Sequence, residues 1–537
     1  MTAGLLPILD ADGMRAADRA TMEEWGVPGR VLMETAGRAA ADAICARRPV
    51  RGARVVVLAG KGNNGGDALV VARVLAARGA QVTVYTMALT WEGERAEGTT
   101  PDAAANFDLL RRTCERDRRI RLSFAPAREK TVTVASPEII VDGLLGIGAE
   151  GPLREPVRWY CQWVNRWNPD AFVVALDVPT GLDATTGRAE DHAVRADLTV
   201  AFGALKAGLV LGRGPEHAGE VVAVEIGIPD AELERHAAAH RATRAWVAAR
   251  LPRRAPDAHK YSAGTAVCVV GSGHFTGAAV LSTAAAYRAG AGAVVACTPQ
   301  SAQATVDARN PEVMVDAQPE TAAGTLAADA LGGILERAAG ADAVLAGCGL
   351  GREPETLDVV RQLVEQVEAP LVLDADGLAA YAGESDRLAE RGGPLVLTPH
   401  LGELRRLLGD DGFTPESRIE TARRLAAQWG AVLVLKGMPS VVGAPDGRVA
   451  VGPPGAPALA TAGTGDVLAG VLVGLLAQGL EAFEAAVCAL HLGTAAADLW
   501  TRRHGAAGLV ASDLLARLPR AARALRQSAG TEAGPGS

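Results

Sequence analysis

Short apolar runs separated by helix-length segments recur through both halves of this chain, and that rhythm restricts the fold more than any other feature. In the first half the runs are Val55–Leu58, Val82–Tyr85, Ile139–Val141, Phe172–Leu176 and Leu198–Phe202. In the second they are Ala266–Val270, Ala343–Ala346, Leu371–Leu373, Leu395–Leu397 and Val432–Leu435. Strands that lack an alternating polar face and are spaced by helical segments form βαβ units around a buried parallel sheet. A chain of 537 residues exceeds one ordinary core, so at least two domains are expected. Between the halves, Ile228-Pro229-Asp230, an Ala/Arg/His-rich stretch and Leu251–Pro256 concentrate proline and charge as domain boundaries do. The expected organisation is an α/β parallel-sheet domain over 1–230, a helical connector over 231–250, a second α/β domain over 251–520, and a disordered Gly/Ser/Glu-rich tail over 521–537.

Charge and cysteine usage narrow the partners. A net charge of −8 without a basic, aromatic-interleaved stripe argues against nucleic acid. The seven cysteines are scattered and form no CxxC pair, which suits a reducing compartment. The nine histidines show no metal-ligand spacing. Asp10, Asp12 and Arg15 stand where a signal peptide needs an apolar core, and no run approaches ~20 apolar residues. A soluble cytoplasmic protein with no membrane partner is expected.

Two glycine-rich segments carry the chemistry. Ala460-Thr461-Ala462-Gly463-Thr464-Gly465-Asp466 runs into the apolar helical stretch Val467–Leu472. A helix that starts just after glycines aims unpaired N–H groups and the positive end of its dipole at one point, which makes an anion cradle. Asp466 would repel that anion, so it suits a general base for a hydroxyl, and the segment reads as phosphoryl transfer to an alcohol. The plainer alternative is that Asp466 caps the helix. In the first half, Gly60-Lys61-Gly62-Asn63-Asn64-Gly65-Gly66-Asp67 satisfies G-x-G-x-x-G. It lacks the acidic residue about 20 positions on that a dinucleotide fingerprint needs, because the second strand ends Val84-Tyr85-Thr86-Met87. Its amides and carboxylate can bind a polar ligand or a cation. Asp142, just past one strand, and Asp177 with Asp183, past another, add oxygen-bearing strand ends that are expected to converge with it.

These motifs together resemble known families. Leu32-Met33-Glu34-Thr35-Ala36-Gly37, the GKGNNGGD loop and Leu176–Asp183 (LDVPTGLD) are similar to NAD(P)HX epimerase domains, which are Rossmann-like. His259-Lys260, Phe275–Ala279, Leu373–Gly377, Thr398–Glu403, Lys436-Gly437 and the GTGD loop resemble ADP/ATP-dependent NAD(P)HX dehydratases of the ribokinase-like superfamily. Thr35, Ala68, Cys348, Ser440 and Ala462 depart from the family patterns.

The resemblance implies two activities on NADH or NADPH hydrated at C6 of the nicotinamide ring. One interconverts the R and S epimers; the other phosphorylates the C6 hydroxyl of the S form and eliminates phosphate. The partners it implies are NADHX, NADPHX and ADP or ATP with Mg2+, and a homo-oligomer is expected. For the epimerase it implies substrate contacts at Asn63, Asn64, Gly65, Gly66, Asp67, Gly146, Ile147, Gly148, Ala149, Glu150, Gly151, Pro152 and Asp177, and K+ ligands at Asn64, Asp142 and Thr180. Asp177 is the candidate acid/base. For the dehydratase it implies substrate contacts at Ala278, Gly349, Gly351, His400 and Asp466, with Asp466 as base. Lys436, Gly437, Met438, Pro439, Ser440, Gly463, Thr464 and Gly465 would hold the nucleotide. His400 outside its motif would read as a helix cap or a buried histidine. A ribokinase-class small-molecule kinase with a regulatory or binding first half is the rival reading, against which the NNGGD and LDVPTGLD segments weigh.

Overall fold

The computed structural model describes residues 4–87, 97–124, 136–149, 151–167, 170–415 and 417–528. The chain divides into two compact units, the first spanning Leu6–Ala239 and the second built mainly from His240 onward.

Among the described residues of the first unit, seven parallel strands lie in the spatial order Ile120–Phe124, Gln81–Thr86, Arg54–Ala59, Ile139–Gly143, Phe172–Leu176, Leu198–Phe202, Glu220–Val224. Arg54–Ala59 shows why its run is apolar throughout. Val55, Val57 and Ala59 face one cluster with residues of the helices Gly29–Cys45 and Asn63–Ala77, while Val56 and Leu58 face another with Tyr160, Cys161 and Val164. Both faces are covered, so neither tolerates a polar residue. The strand order reverses between Arg54–Ala59 and Ile139–Gly143, and ligands of open α/β sheets bind in the crevice at such a switch point.

The helix Asn63–Ala77 begins inside the glycine-rich segment, so the Asn-Asn-Gly-Gly-Asp run is its first turns and not a loop. Gly65 and Gly66 serve packing. A Cβ at Gly65 would lie 2.0 Å from the Gly60 carbonyl oxygen, and one at Gly66 would lie 2.6 Å from the Met33 sulfur.

The second unit's sheet runs Met314–Gln318, Ala293–Pro299, Thr265–Val269, Ala343–Ala346, Leu371–Leu373, Leu395–Leu397, Val432–Leu435, Val441–Gly443, Val449–Val451, Ala239–Ala242. It is parallel through Val432–Leu435, and Val441–Gly443 then pairs antiparallel with both neighbours. Its strand order reverses between Thr265–Val269 and Ala343–Ala346. The helices Thr276–Ala289 and Thr464–Ala477 pack closely because Gly470 and Gly474 leave room; a Cβ at Gly470 would meet the Ser282 carbonyl oxygen at 2.1 Å. Among the described residues, Ala482–His504 is the one helix long and apolar enough to cross a membrane. Phe483, Cys488, Leu492 and Trp500 along it are buried in this unit's core.

Two boundaries differ from expectation. The stretch taken as a helical connector over 231–250 contains the strand Ala239–Ala242, paired with Val449–Val451, and the helix Arg244–Arg250, whose Trp246 and Val247 are buried in the second unit's core. The tail expected to be disordered from residue 521 is helical over Leu518–Ser528, with Ala521 and Leu525 buried; residues 529–537 lie outside those described. An arginine-rich helix face hid its apolar stripe.

Candidate active sites

A cavity of about 1300 Å3 opens in the first unit at the strand-order reversal. Of the residues singled out from sequence, Asn63, Asn64, Asp67, Gly146, Ile147, Gly148, Ala149, Gly151, Pro152 and Asp177 line it. Gly65 and Gly66 do not line it, because they serve the packing described above. Glu150 lies outside the described residues. The wall carries both signs of charge: Arg15, Arg19, Lys61 and Arg154 suit the phosphates of a ligand, and they stand among carboxylates that include Asp18, Glu23, Asp102 and Glu155.

Beneath this wall Asn64, Asp142 and Thr180 come together. Asp142 is fully buried and accepts hydrogen bonds from the Thr180 hydroxyl (2.7 Å), the Thr180 N–H (2.9 Å) and the Leu144 N–H (3.2 Å). Burial raises its carboxyl from the usual range and these bonds oppose that. Asn64 donates Nδ2–H to the Leu145 carbonyl at 2.8 Å, which leaves its Oδ1 buried without a partner. A buried amide oxygen beside a buried carboxylate and a threonine is a donor set that a hard monovalent cation fits.

Asp177 sits in the left-handed region at φ 65°, an unusual conformation for a non-glycine residue. Its carboxylate pairs with Lys206 Nζ at 2.5 Å and accepts from the Phe202 N–H at 3.2 Å. Lys206 is completely buried. The sequence reading missed this lysine, although a lone Lys inside the apolar run Ala204–Val210 was a signal that it has a buried partner. Asp18, also missed, lines the same cavity from the helix Ala11–Glu23, with no glycine loop to mark it.

In the second unit the site gathers at strand ends. Gly463, in the left-handed region at φ 88°, caps the helix Thr464–Ala477 without a side-chain bond, and Asp466 lies in its first turn. Asp466 therefore does not cap its own helix. A Cβ at Gly465 would stand 3.8 Å from Lys436 Nζ, so an ammonium faces the amide cradle. Lys436 pairs with Asp374 at 2.8 Å and with Glu403 at 3.5 Å. Asp374 accepts from the Thr398 hydroxyl at 2.6 Å and from the Cys348 thiol at 3.7 Å. One ligand atom each from Cys348, Asp374 and Asp466 fall within 4.8 Å of one another. Burial, with the nearby Asp374 charge adding, pushes the Asp466 carboxyl up to about 6.

The other positions expected in this site fall around it. Gly349, at φ 67°, allows close approach of Ala278: a Cβ there would lie 2.8 Å from the Ala278 Cβ. The Gly351 N–H donates to Asp376 at 3.1 Å. His400 caps the helix Leu401–Leu408, its Nδ1 accepting from the Gly402 and Glu403 N–H groups, and its side chain is about half exposed. It also bridges the backbone of Lys436. In the Lys436–Ser440 turn, the Ser440 hydroxyl donates to the Gly437 carbonyl at 3.2 Å, and Met438 is exposed. Arg418, unnoticed in the sequence, holds this turn by donating to the Leu435 and Lys436 carbonyls.

A parallel sheet with a helix-terminal amide cradle, a facing lysine and an aspartate whose carboxyl burial pushes up defines the second unit as a phosphoryl-transfer enzyme fold. It is joined in one chain to a unit with a nucleotide-sized, carboxylate-lined cavity. Residues 29–208 match the family model described as YjeF-related protein N-terminus, and residues 266–520 match that of NAD(P)H-hydrate dehydratase. The chain is 47% identical over 530 residues to the bifunctional NAD(P)H-hydrate repair enzyme Nnr of Salinibacter ruber, covering 96% of each chain. It is 38% identical over 528 residues to that of Moorella thermoacetica, covering 98% of each. The chain belongs to the family of bifunctional NAD(P)H-hydrate repair enzymes. The ADP/ATP-dependent NAD(P)H-hydrate dehydratase of Bacillus subtilis, co-crystallised with ATP and Mg2+, is 32% identical and covers 53% of this chain and 97% of that one, with a TM-score of 0.46.

Proposed function

We propose that this chain repairs hydrated nicotinamide dinucleotides by two activities. The first unit epimerises R- and S-NAD(P)HX. The second dehydrates the S form to NAD(P)H at the expense of ADP or ATP, through phosphorylation of the C6 hydroxyl and elimination of phosphate. The observation that carries this reading is the placement of Asp466 beside a glycine-bounded amide cradle faced by Lys436. A carboxylate there takes the hydroxyl proton as the oxygen attacks phosphorus, while the N–H groups of Gly463, Thr464 and Gly465 meet the charge that develops on the transferred group. Lys436–Ser440 hold the nucleotide, and Ala278, Gly349, Gly351 and His400 contact the hydrated ring. Mg2+ bound together with the nucleotide would offset the charge of its phosphates. The Asp374 and Asp466 carboxylates suit it; the Cys348 thiol does not.

The assay is direct. Pure R epimer supplied with ADP or ATP yields NADH absorbance and inorganic phosphate, whereas a small-molecule kinase would leave a stable phosphorylated product. No NADH from either epimer would overturn the reading.

In the first unit Asn63, Asn64, Asp67, the 146–152 loop and Asp177 contact the substrate. Asn64, Asp142 and Thr180 hold K+, a reading supported by the orphaned Asn64 Oδ1. Asp142→Ala removes the only full charge from that set, so it should abolish the potassium dependence of epimerisation and weaken substrate binding together. The check is the epimerisation rate titrated with KCl against a sodium control. Equal rates with and without potassium in the wild type would sink the assignment. A cytoplasmic homo-oligomer completes the proposal, and all seven cysteines are free thiols, in keeping with a reducing compartment.

A further inference from the structure

Three carboxylates, Asp18, Asp67 and Asp177, line the first unit's cavity within electrostatic reach of one buried ammonium, that of Lys206. Lys206 is fully committed: buried, paired with Asp177 at 2.5 Å and donating to the Phe202 carbonyl at 2.5 Å. One cation cannot offset three carboxylates withdrawn from water, so the cluster retains protons. They are not held alike. Asp67 is buried completely, and burial with the Asp177 and Asp18 charges raises its carboxyl well above the ordinary range. It stays neutral. Asp18 is pushed by burial up to about 6, with Lys206 pulling down and Asp177 pushing up, so it both gives and takes a proton near neutrality. Its helix, Ala11–Glu23, precedes the 29–208 segment that matches the N-terminal family model, yet it brings a carboxyl to the same cavity wall as Asp177.

We propose that Asp18 is a second proton carrier of the epimerase, working with Asp177, whose charge Lys206 balances. This rests on the epimerase reading of the first unit. The carbon to be inverted, C6, carries a hydroxyl and is bonded to the ring nitrogen N1, so inversion needs one bond broken and remade. Asp177 takes the hydroxyl proton as the oxygen pair forms C=O. The C6–N1 pair goes to N1, which takes the proton of Asp18. Rotation about C5–C6 presents the other carbonyl face. N1 then adds to C6 while its proton returns to Asp18, and the oxygen recovers its proton from Asp177. No net proton, water or electron is consumed, and each carboxyl ends as it began. Two groups are needed because the steps require one proton removed and another delivered at different atoms.

The test uses the full chain with pure R epimer and no nucleotide, following S epimer by chromatography. Asp18→Asn should lower kcat by about 10²-fold or more with little change in KM. Asp18→Glu, which keeps the carboxyl, should recover much of that loss. Thermal unfolding of the same preparations serves as the folding control for the first unit, and dehydration of supplied S epimer shows that the second unit is unaffected. An Asp18→Asn chain that epimerises at the wild-type rate overturns the proposal. So does a loss confined to KM and shared equally by the Asn and Glu variants. A wild-type chain that forms no S epimer overturns the epimerase reading instead, which keeps the two failures apart.

Discussion

Asp466→Asn should release essentially no NADH from S epimer while still binding nucleotide. The amide keeps the size of the side chain and leaves the helix cap untouched, because Gly463 occupies that position. It cannot accept the hydroxyl proton, and losing a general base typically costs about 10²–10⁴-fold in rate. Removing a negative charge beside the phosphates should tighten binding of metal-free ADP, which equilibrium titration without Mg2+ reads directly. Epimerisation by the same variant should be unchanged. The wild type should also report this residue through pH. Burial and the Asp374 charge hold the Asp466 carboxyl near about 6, and only its ionised form is a base. Dehydration should therefore fall as pH drops through about 6 and level off above it. Near-normal NADH release by Asp466→Asn would place the base elsewhere, and with it the reading of the GTGD segment would fail.

Backbone-built parts of the site were legible in the sequence, and charge-built parts were not. Gly463 is where the chain needs a positive φ, so the amide cradle was written in residue type, whereas Gly349 and Ala278 came only with the family resemblance. The buried strands Arg54–Ala59 and Ile139–Gly143 were plain because both their faces are covered. Glycine also misled. At Gly65 and Gly66 it admits the Gly60 carbonyl and Met33 against a helix, yet in sequence it reads as a turn. Val441–Gly443 and Val449–Val451 are three residues each, too short for a period to show. Ala239–Ala242 carries His240 and Arg241 and so lacks the apolar run of a central strand. Lys206 and Asp374 went unassigned because burial, which turns an ordinary charge into a tuned one, is a property of the fold around the residue and not of its neighbours in the chain.

Lys436→Met should damage stability and chemistry together, and the two effects can be separated. Lys436 is the only ammonium within salt-bridge distance of Asp374 among the described residues, and Asp374 is 2% exposed. Burial disfavours the charged lysine, but Asp374 and Glu403 more than compensate and raise its pKa. Take the ammonium away and, among the described side chains, Asp374 keeps the Thr398 hydroxyl and the Cys348 thiol as partners, with Glu403 and Asp466 nearby as like charges. Removing one partner of a buried pair costs about 3–5 kcal/mol. Because the lysine is partly exposed, the lower end applies, and at roughly 2–4 °C per kcal/mol the second unit's melting temperature should fall by roughly 6–12 °C. Dehydration should be lost as well, since the cradle loses its facing positive charge. Adding Asp374→Asn removes the stranded carboxylate, so the double variant should regain most of the thermal loss while remaining unable to dehydrate. Calorimetry on the two variants reads the first effect and NADH release the second. A Lys436→Met chain that melts and dehydrates like the wild type would mean the lysine neither balances Asp374 nor serves the transferred phosphoryl group.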